Sequence, residues 1–443
     1  MSSRESATQP DALPPLHLGA MLTASGAPDD ERAWLDPSEP TNASVSPDWY
    51  REVAQIAEQA TFDFLFIADA VFVDLDSPAH YLSRFEPLSA LSFLAGVTSH
   101  IGLVGTFSTS YQEPYNLARM LMSLDHLSRG RAGWNVVTSL GDRAARNFGL
   151  DAQRDHETRY ARATEAIDVV RALWRSYEAD AFPRDRASGT FLDQSKVHTL
   201  NHRGEHFSVA GPLNIERSPQ GEPVIFQAGQ SAPGMALAAH SADCVFGMQT
   251  TIEDALAYRE GIRGAMAGSD RPEPKLYIKV MIAFADAPGR ADEAAREYLV
   301  RHGALDELRG RVSRAIEREI EVGDASTITD RDIARGHVNE GTWLFEHLTE
   351  DRDAGRTLGE SVERLLGRDR LVFAGTGEEI ADEMVEWQRA GAAEGFIMQV
   401  SNRAEFRRVR DELAPALRVR GALRDAYPED ATLRGLLGLA ERN

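Results

Sequence analysis

Cysteine is nearly missing from this chain. Cys244 is the one example in 443 residues, so an intrachain disulfide and a thiolate metal cluster are both excluded. No window approaches the ~18 apolar residues of a membrane span. Positive charge is scarce: 48 Lys and Arg stand against 69 Asp and Glu, a formal charge of −21. Nucleic acid and anionic membrane surfaces repel such a chain, so neither is expected as a partner. Residues 1–15 are polar and Pro-containing, without the apolar run of a signal peptide. They are expected to be a disordered tail, and the location to be cytoplasmic. The sequence has no P-loop, no GxSxG elbow, no HExxH, and no strand–GxGxxG–helix dinucleotide fingerprint. His198, His202 and His206 recur every fourth residue, which would align three imidazoles on a helix. Gly204 argues instead for a hairpin over 202–209, where that spacing loses its meaning, and no metal is expected.

What is present is a globular composition: 42% hydrophobic, 26% charged and 8% aromatic residues. Short apolar runs at 16–22, 62–70, 101–109, 132–139, 224–228, 244–249, 276–285 and 395–400 alternate with amphipathic stretches. The latter include 49–60, 88–97, 115–128 and 156–177. Strand–helix alternation with continuous apolar strands implies a parallel sheet covered by helices. Eight such units predict an α/β (β/α)₈ TIM barrel, a single domain over 16–443. A barrel of about 250 residues leaves room for insertions. They are placed after strands 4 and 7, at about 179–222 and 286–375, and the chain is expected to close with a C-terminal helical tail.

In this fold function sits at the C-terminal ends of the strands. Those ends offer Asp69 after strand two, Thr106 on strand three and Asn135 on strand four. Asn135 sits at the centre of Gly133-Trp134-Asn135-Val136-Val137, where an unpaired buried amide would cost about 1–3 kcal/mol. Neighbouring backbone or a ligand would meet it equally well. Asp69 is equally readable as a structural acid. After strand five, Gly229 permits close backbone approach, and Ser231 can cap a helix whose first turn holds Pro233. Such a terminus suits a phosphate. His156 and Tyr160 lie one helical turn apart and share a face. Cys244, in a strand, reads as a small buried apolar residue.

Three segments carry a resemblance: Phe66-Ile67-Ala68-Asp69, Gly105-Thr106-Phe107-Ser108-Thr109-Ser110-Tyr111, and Gly133 through Ser139. It continues through His156–Tyr160, Gly211-Pro212-Leu213, Gln227-Ala228-Gly229-Gln230-Ser231 and Thr432-Leu433-Arg434. In this order they resemble the bacterial-luciferase superfamily, in the branch of nitrilotriacetate monooxygenase component A and dibenzothiophene-sulfone monooxygenase. The resemblance implies an FMNH₂-dependent monooxygenase of a two-component system, a flavoprotein supplied by a separate NAD(P)H:flavin reductase. O₂ would be the co-substrate, and oxidative C–N, C–S or C–halogen cleavage of a small organic molecule the reaction. It further implies that Asp69, Thr106, Asn135, His156, Tyr160, Gly229 and Ser231 bind FMN, with His156, Tyr160 and Ser231 at its phosphate. Thr106 and Asn135 would be the catalytic pair that forms the oxygen pocket, and the protein a homodimer or homotetramer. Two rivals share the fold: a deazaflavin- or flavin-dependent oxidoreductase that does not use O₂, and a non-catalytic flavin-binding protein.

Overall fold

The computed structural model describes residues 14–442 except 27–29, 31, 74, 76–78, 140 and 335–341. The expected N-terminal tail therefore falls, apart from Pro14 and Pro15, outside the described residues.

Eight parallel strands form the barrel: β1 His17–Leu22, β2 Phe64–Ile67, β3 Gly102–Ser108, β4 Ala132–Val137, β5 Val224–Gln227, β6 Cys244–Gly247, β7 Lys275–Phe284 and β8 Gly395–Val400. Each pairs with the next in sequence, and β8 pairs with β1 to close the ring. The register runs from Met21 through Phe66, Val104 and Gly133 to Val224, then from Phe226 through Cys244 to Lys275. From Tyr277 it passes through Gly395 back to His17. With two steps up of two residues and a return four below Met21, the stagger is eight residues, the value that gives a TIM-type barrel its tilt.

Helices cover the outside: α1 Pro47–Gln59, α2 Pro87–Ala95, α3 Pro114–Leu127, α4 His156–Trp174, α5 Ala232–Ser241, α6 Ile252–Ala265 and α7 Gly377–Arg389. Three of them begin on a proline one or two residues before the first apolar residue of the sequence pattern. Proline's fixed φ suits the first helical position, and its missing N–H would be unpaired there anyway. Outward strand residues such as Leu18, Leu65, Leu103, Ile278 and Phe396 pack beneath the helices, while Met21, Phe64, Phe66, Val104, Phe226, Phe246, Tyr277 and Ile397 fill the barrel.

Leu433 and Leu437 from the C-terminal tail join that inner cluster and plug the N-terminal mouth. Gly102 makes room for the plug, because a Cβ there would stand 2.4 Å from Leu433 Cδ1. Arg434 holds the plug by pairing with buried Asp243 at 3.0 Å. Burial alone would raise the Asp243 carboxyl, but the Arg434 guanidinium holds it down at about 2.

The stretch at 179–222 follows α4, and so leaves from the N-terminal side of the barrel. Its two-stranded hairpin, His202–Arg203 with Ser208–Val209, is fastened to the outside of α4 by Glu165. That carboxylate takes His202 Nε2 at 2.8 Å and the backbone N–H groups of His206 and Phe207. His198 pairs separately with Glu178. Among the described residues no group of three His, Cys, Asp or Glu side chains is placed to hold a metal ion.

The stretch at 286–375 is mostly helical and carries its own apolar core, including Leu308, Val312, Leu344, Leu348, Leu358 and Leu365. It ends in a strand that the sequence pattern did not show, Val372–Gly375, paired with Met281–Phe284 where β7 runs beyond the barrel rim. Tyr298 of the helix Ala291–Arg301 packs on Met281 and Ala283, so this insertion stands at the C-terminal mouth. The next residue after that helix, His302, is buried between Asp30, at 2.6 Å, and Glu405, at 3.5 Å. Among the described residues no helix is long and apolar enough to cross a membrane.

Candidate functional site

Strand alternation decides which residues enter the barrel. On β4, Trp134 and Val136 belong to the outer cluster under α3 and α4, and Trp134 Nε1 donates to the Phe107 carbonyl. Trp134 is packing. Asn135 therefore points inward, as does Thr106 two residues above Val104. The two are register partners. Asn135 Nδ2 donates to Thr106 Oγ1 at 2.9 Å, and each residue is 5% exposed. Asn135 Oδ1 has no partner.

A stagger of eight advances one residue per strand at constant height, so inward side chains stack in layers drawn from alternate strands. One layer holds Phe66, Asn135, Phe246 and Ile397. Phe66 and Phe246, from opposite walls, stack at 5.7 Å between centroids. The layer above holds Met21, Thr106, Ala228 and Lys279. Above that come Ala68, Val137, Met248 and Gln399. The aromatic pair is thus the floor of a chamber whose wall carries Thr106 and Asn135.

Asp69 stands two residues beyond β2 and does not join that pair. It takes Arg84 Nε at 3.0 Å and the neighbouring guanidinium nitrogen at 2.9 Å. Burial raises its carboxyl above the ordinary range despite Arg84. Both residues line a cavity of about 790 Å³ with Phe72, Tyr81, Arg143 and Arg146.

The β5 loop and the start of α4 meet on the other side of the mouth. Ser231 caps α5, its Oγ accepting from Gly234 N at 3.3 Å, with Pro233 in the first turn. Gly229 is required by a close crossing within the protein: a Cβ would stand 2.7 Å from Gly234 Cα. That crossing requires glycine there whether or not a ligand approaches the loop. Tyr258 of α6 donates to the Gly229 carbonyl at 3.1 Å, and burial, then neighbouring Tyr160, pushes its hydroxyl up to about 12. Exposed His156 lies against Tyr160 with ring centroids 4.7 Å apart.

Helix α4 is capped by Asp155, whose carboxylate takes the Thr158 N–H. That negative charge leaves α5, with its neutral Ser231 cap, as the better anion terminus. The arginines of this region had no place in the sequence reading. Arg159, on α4, is buried, reaches the Ser139 carbonyl at 3.1 Å, and has an unpartnered Nε. Arg154 donates to the Ser110 carbonyl. The signal was available, since Arg154 stands two residues before His156 and Arg159 falls between His156 and Tyr160.

Cys244 is fully buried in the barrel, and burial raises its thiol well above the usual range, so it does not act as a nucleophile. The donor set fits FMN on three counts: a neutral helix cap with His156 and Tyr160 nearby, arginine charge in a strongly acidic chain, and an orphaned amide oxygen beside an aromatic floor.

The luciferase-like monooxygenase family model matches residues 27–394. The chain is 38% identical over 431 residues to N-acetyl-S-(2-succino)cysteine monooxygenase of Bacillus subtilis (strain 168), covering 96% of each. It is 35% identical to nitrilotriacetate monooxygenase component A of Aminobacter aminovorans, again covering 96% of each. Among solved structures, EDTA monooxygenase from Chelativorans sp. BNC1 superposes with a TM-score of 0.79 at 26% identity, over 97% of this chain and 99% of that one.

Proposed function

The chain belongs to the luciferase-like monooxygenase family, and from that premise we propose that it is the oxygenase of a two-component system using FMNH₂ and O₂. A separate NAD(P)H:flavin reductase supplies the reduced flavin in the cytoplasm. The substrate is a small organic molecule cleaved at a C–N, C–S or carbon–halogen bond. The observation that carries this reading is the buried Thr106–Asn135 pair with its free Asn135 Oδ1, Asn135 level with Phe66 and Phe246 and Thr106 one layer higher. A packing strand has no use for it, because an unsatisfied buried amide atom costs about 1–3 kcal/mol.

Ser231, His156 and Tyr160 hold the phosphate, with Arg159 lending charge. Asp69, tied to Arg84, would lie near the flavin ring. Reduced flavin supplies the electrons that activate O₂. Thr106 Oγ1 and the Asn135 amide orient and hydrogen-bond the oxygen. The 286–375 insertion excludes water from the mouth, which keeps reducing equivalents from escaping as H₂O₂.

The test combines the chain with FMN, a flavin reductase, NADH and ¹⁸O₂, and screens organic substrates by mass spectrometry. One ¹⁸O atom in product, with uptake coupled to substrate, supports the reading. FMN binding without O₂-dependent product formation, or turnover with a deazaflavin and no O₂ uptake, overturns it.

A further inference from the structure

The residues proposed for FMN occupy β2, β3, β4, the β5 loop and the start of α4, one side of the barrel mouth. On the opposite side, Gln399 is the inward residue of β8 after Ile397, because Met398 and Val400 pack beneath the helices. In a ring of eight strands β8 stands directly across from β4, which carries Asn135. Gln399 lies in the layer above Thr106, with Ala68, Val137 and Met248. It is 1% exposed, and neither its Oε1 nor its Nε2 has a hydrogen-bond partner.

The surroundings explain why this amide is unmet. Its register partners on the two flanking strands are Met21 and Met281, whose thioether sulfurs donate nothing and accept weakly. Its layer-mates are apolar. One rung higher, Thr23 and Ser401 pair hydroxyl to hydroxyl at 3.5 Å. Lys279, one layer lower on β7, has a partner of its own. Each buried amide group left unpaired costs folding about 1–3 kcal/mol, a penalty that an apolar side chain of the same shape would avoid.

A free N–H and a free C=O on one planar amide match a ligand that presents the reverse pair side by side. A carboxylate would meet the N–H and repel the carbonyl. An open-chain secondary amide is trans, so its own N–H and C=O point opposite ways. A lactam, a cyclic imide or a primary carboxamide holds the two on one edge and makes both bonds at once. Resting on the flavin placement proposed above, we propose that Gln399 is a specificity-determining residue that hydrogen-bonds such a cis-amide edge of the substrate, across the chamber from Thr106 and Asn135. The pyrimidine ring of flavin carries an edge of the same chemistry, and FMN affinity separates the two sources.

The probes are δ-valerolactam and its N-methyl derivative, which keeps the ring and the carbonyl but lacks the N–H. Each is titrated calorimetrically into the chain with and without FMN, and FMN binding is followed by fluorescence quenching. Wild type is expected to prefer the lactam by roughly tenfold or more, since a site built to bond an N–H rejects the analogue without it. In Gln399→Leu and Gln399→Met that preference is expected to vanish, with FMN affinity at the wild-type level and Tm not lowered. A glutamine that merely supports the fold would lower Tm on removal and would not set the preference between the probes. Equal affinity of wild type for the two probes, or no binding of the lactam, overturns the proposal. So does a preference that survives in both variants, or a lower Tm in both. A roughly tenfold loss of FMN affinity in the variants overturns it too, by assigning the edge to flavin. Failure of wild type to bind FMN sinks the flavin reading instead, while the flavin-free lactam titration still decides this one.

Discussion

Thr106 and Asn135 face one another across the β3–β4 ladder as direct register partners, and the 2.9 Å bond between their side chains uses only half of the Asn135 amide. A pair fixed on two rigid strands is held to a definite geometry, which a loop would not provide. Thr106→Ala is expected to leave FMN affinity unchanged and to lower product formed per NADH by roughly 10²-fold, with H₂O₂ rising in step. Undiminished product would remove Thr106 from the oxygen pocket. The measurement is product and peroxide yield in one coupled assay.

Ser231 has two separable roles. As the cap of α5 it contributes about 1 kcal/mol, so Ser231→Ala should lower stability by that amount. As a phosphate contact it should weaken FMN by roughly tenfold and leave riboflavin, which lacks the phosphate, unaffected. Parallel titrations of the two flavins distinguish the roles; equal loss for both would assign Ser231 to the fold alone.

Gly229 and Gly234 cross too closely for a methyl group between them. Gly229→Ala should destabilise the protein by about 1–3 kcal/mol through overpacking, visible as a lower denaturant midpoint. Tyr258→Phe, which loses only the bond to the Gly229 carbonyl, should cost about 0.5–1.5 kcal/mol. A neutral Gly229→Ala would mean that the loop relaxes freely.

His302 makes stability depend on pH. Burial alone would lower its pKa, but bonding to Asp30 and Glu405 raises it to about 9. A raised folded pKa means that the folded state binds the proton more tightly than the unfolded state. The resulting stabilisation is fully present below the unfolded value of about 6.5. It is lost as pH rises through about 9. The size is on the order of 3 kcal/mol. Thermal melts between those limits should show Tm falling for wild type and a flatter profile for His302→Gln. Identical slopes would remove His302 from the linkage.

The barrel was readable because its strands are buried on both faces and print as continuous apolar runs, β8 at Gly395–Val400 being the plainest. The strand at Val372–Gly375 was not, since it is four residues long, only partly buried, and exists by pairing with an overrun of β7. Asn135 and Ser231 were legible from their chemistry at strand ends, and Thr106 only through the family resemblance. Lys279 and Gln399 were not: both sit within apolar strands, and only the register reveals that they enter the barrel. Asp69 was located, yet its bond to Arg84 lies fifteen residues away across a loop, beyond any periodicity. The crossing of Gly229 with Gly234 was not legible, because the sequence cannot show that the two are neighbours in space.

The pairing of Leu18 with Phe396 joins residues at almost opposite ends of the chain. During synthesis, β1 and the Tyr277–Met281 part of β7 lack their β8 partner until nearly the whole chain has emerged, so both edges of that gap stay incompletely paired. Those edges are the surfaces through which incomplete chains associate. Expression at lower temperature, or with a chaperone that shelters nascent chains, should therefore raise the yield of this protein more than any stabilising change on its surface.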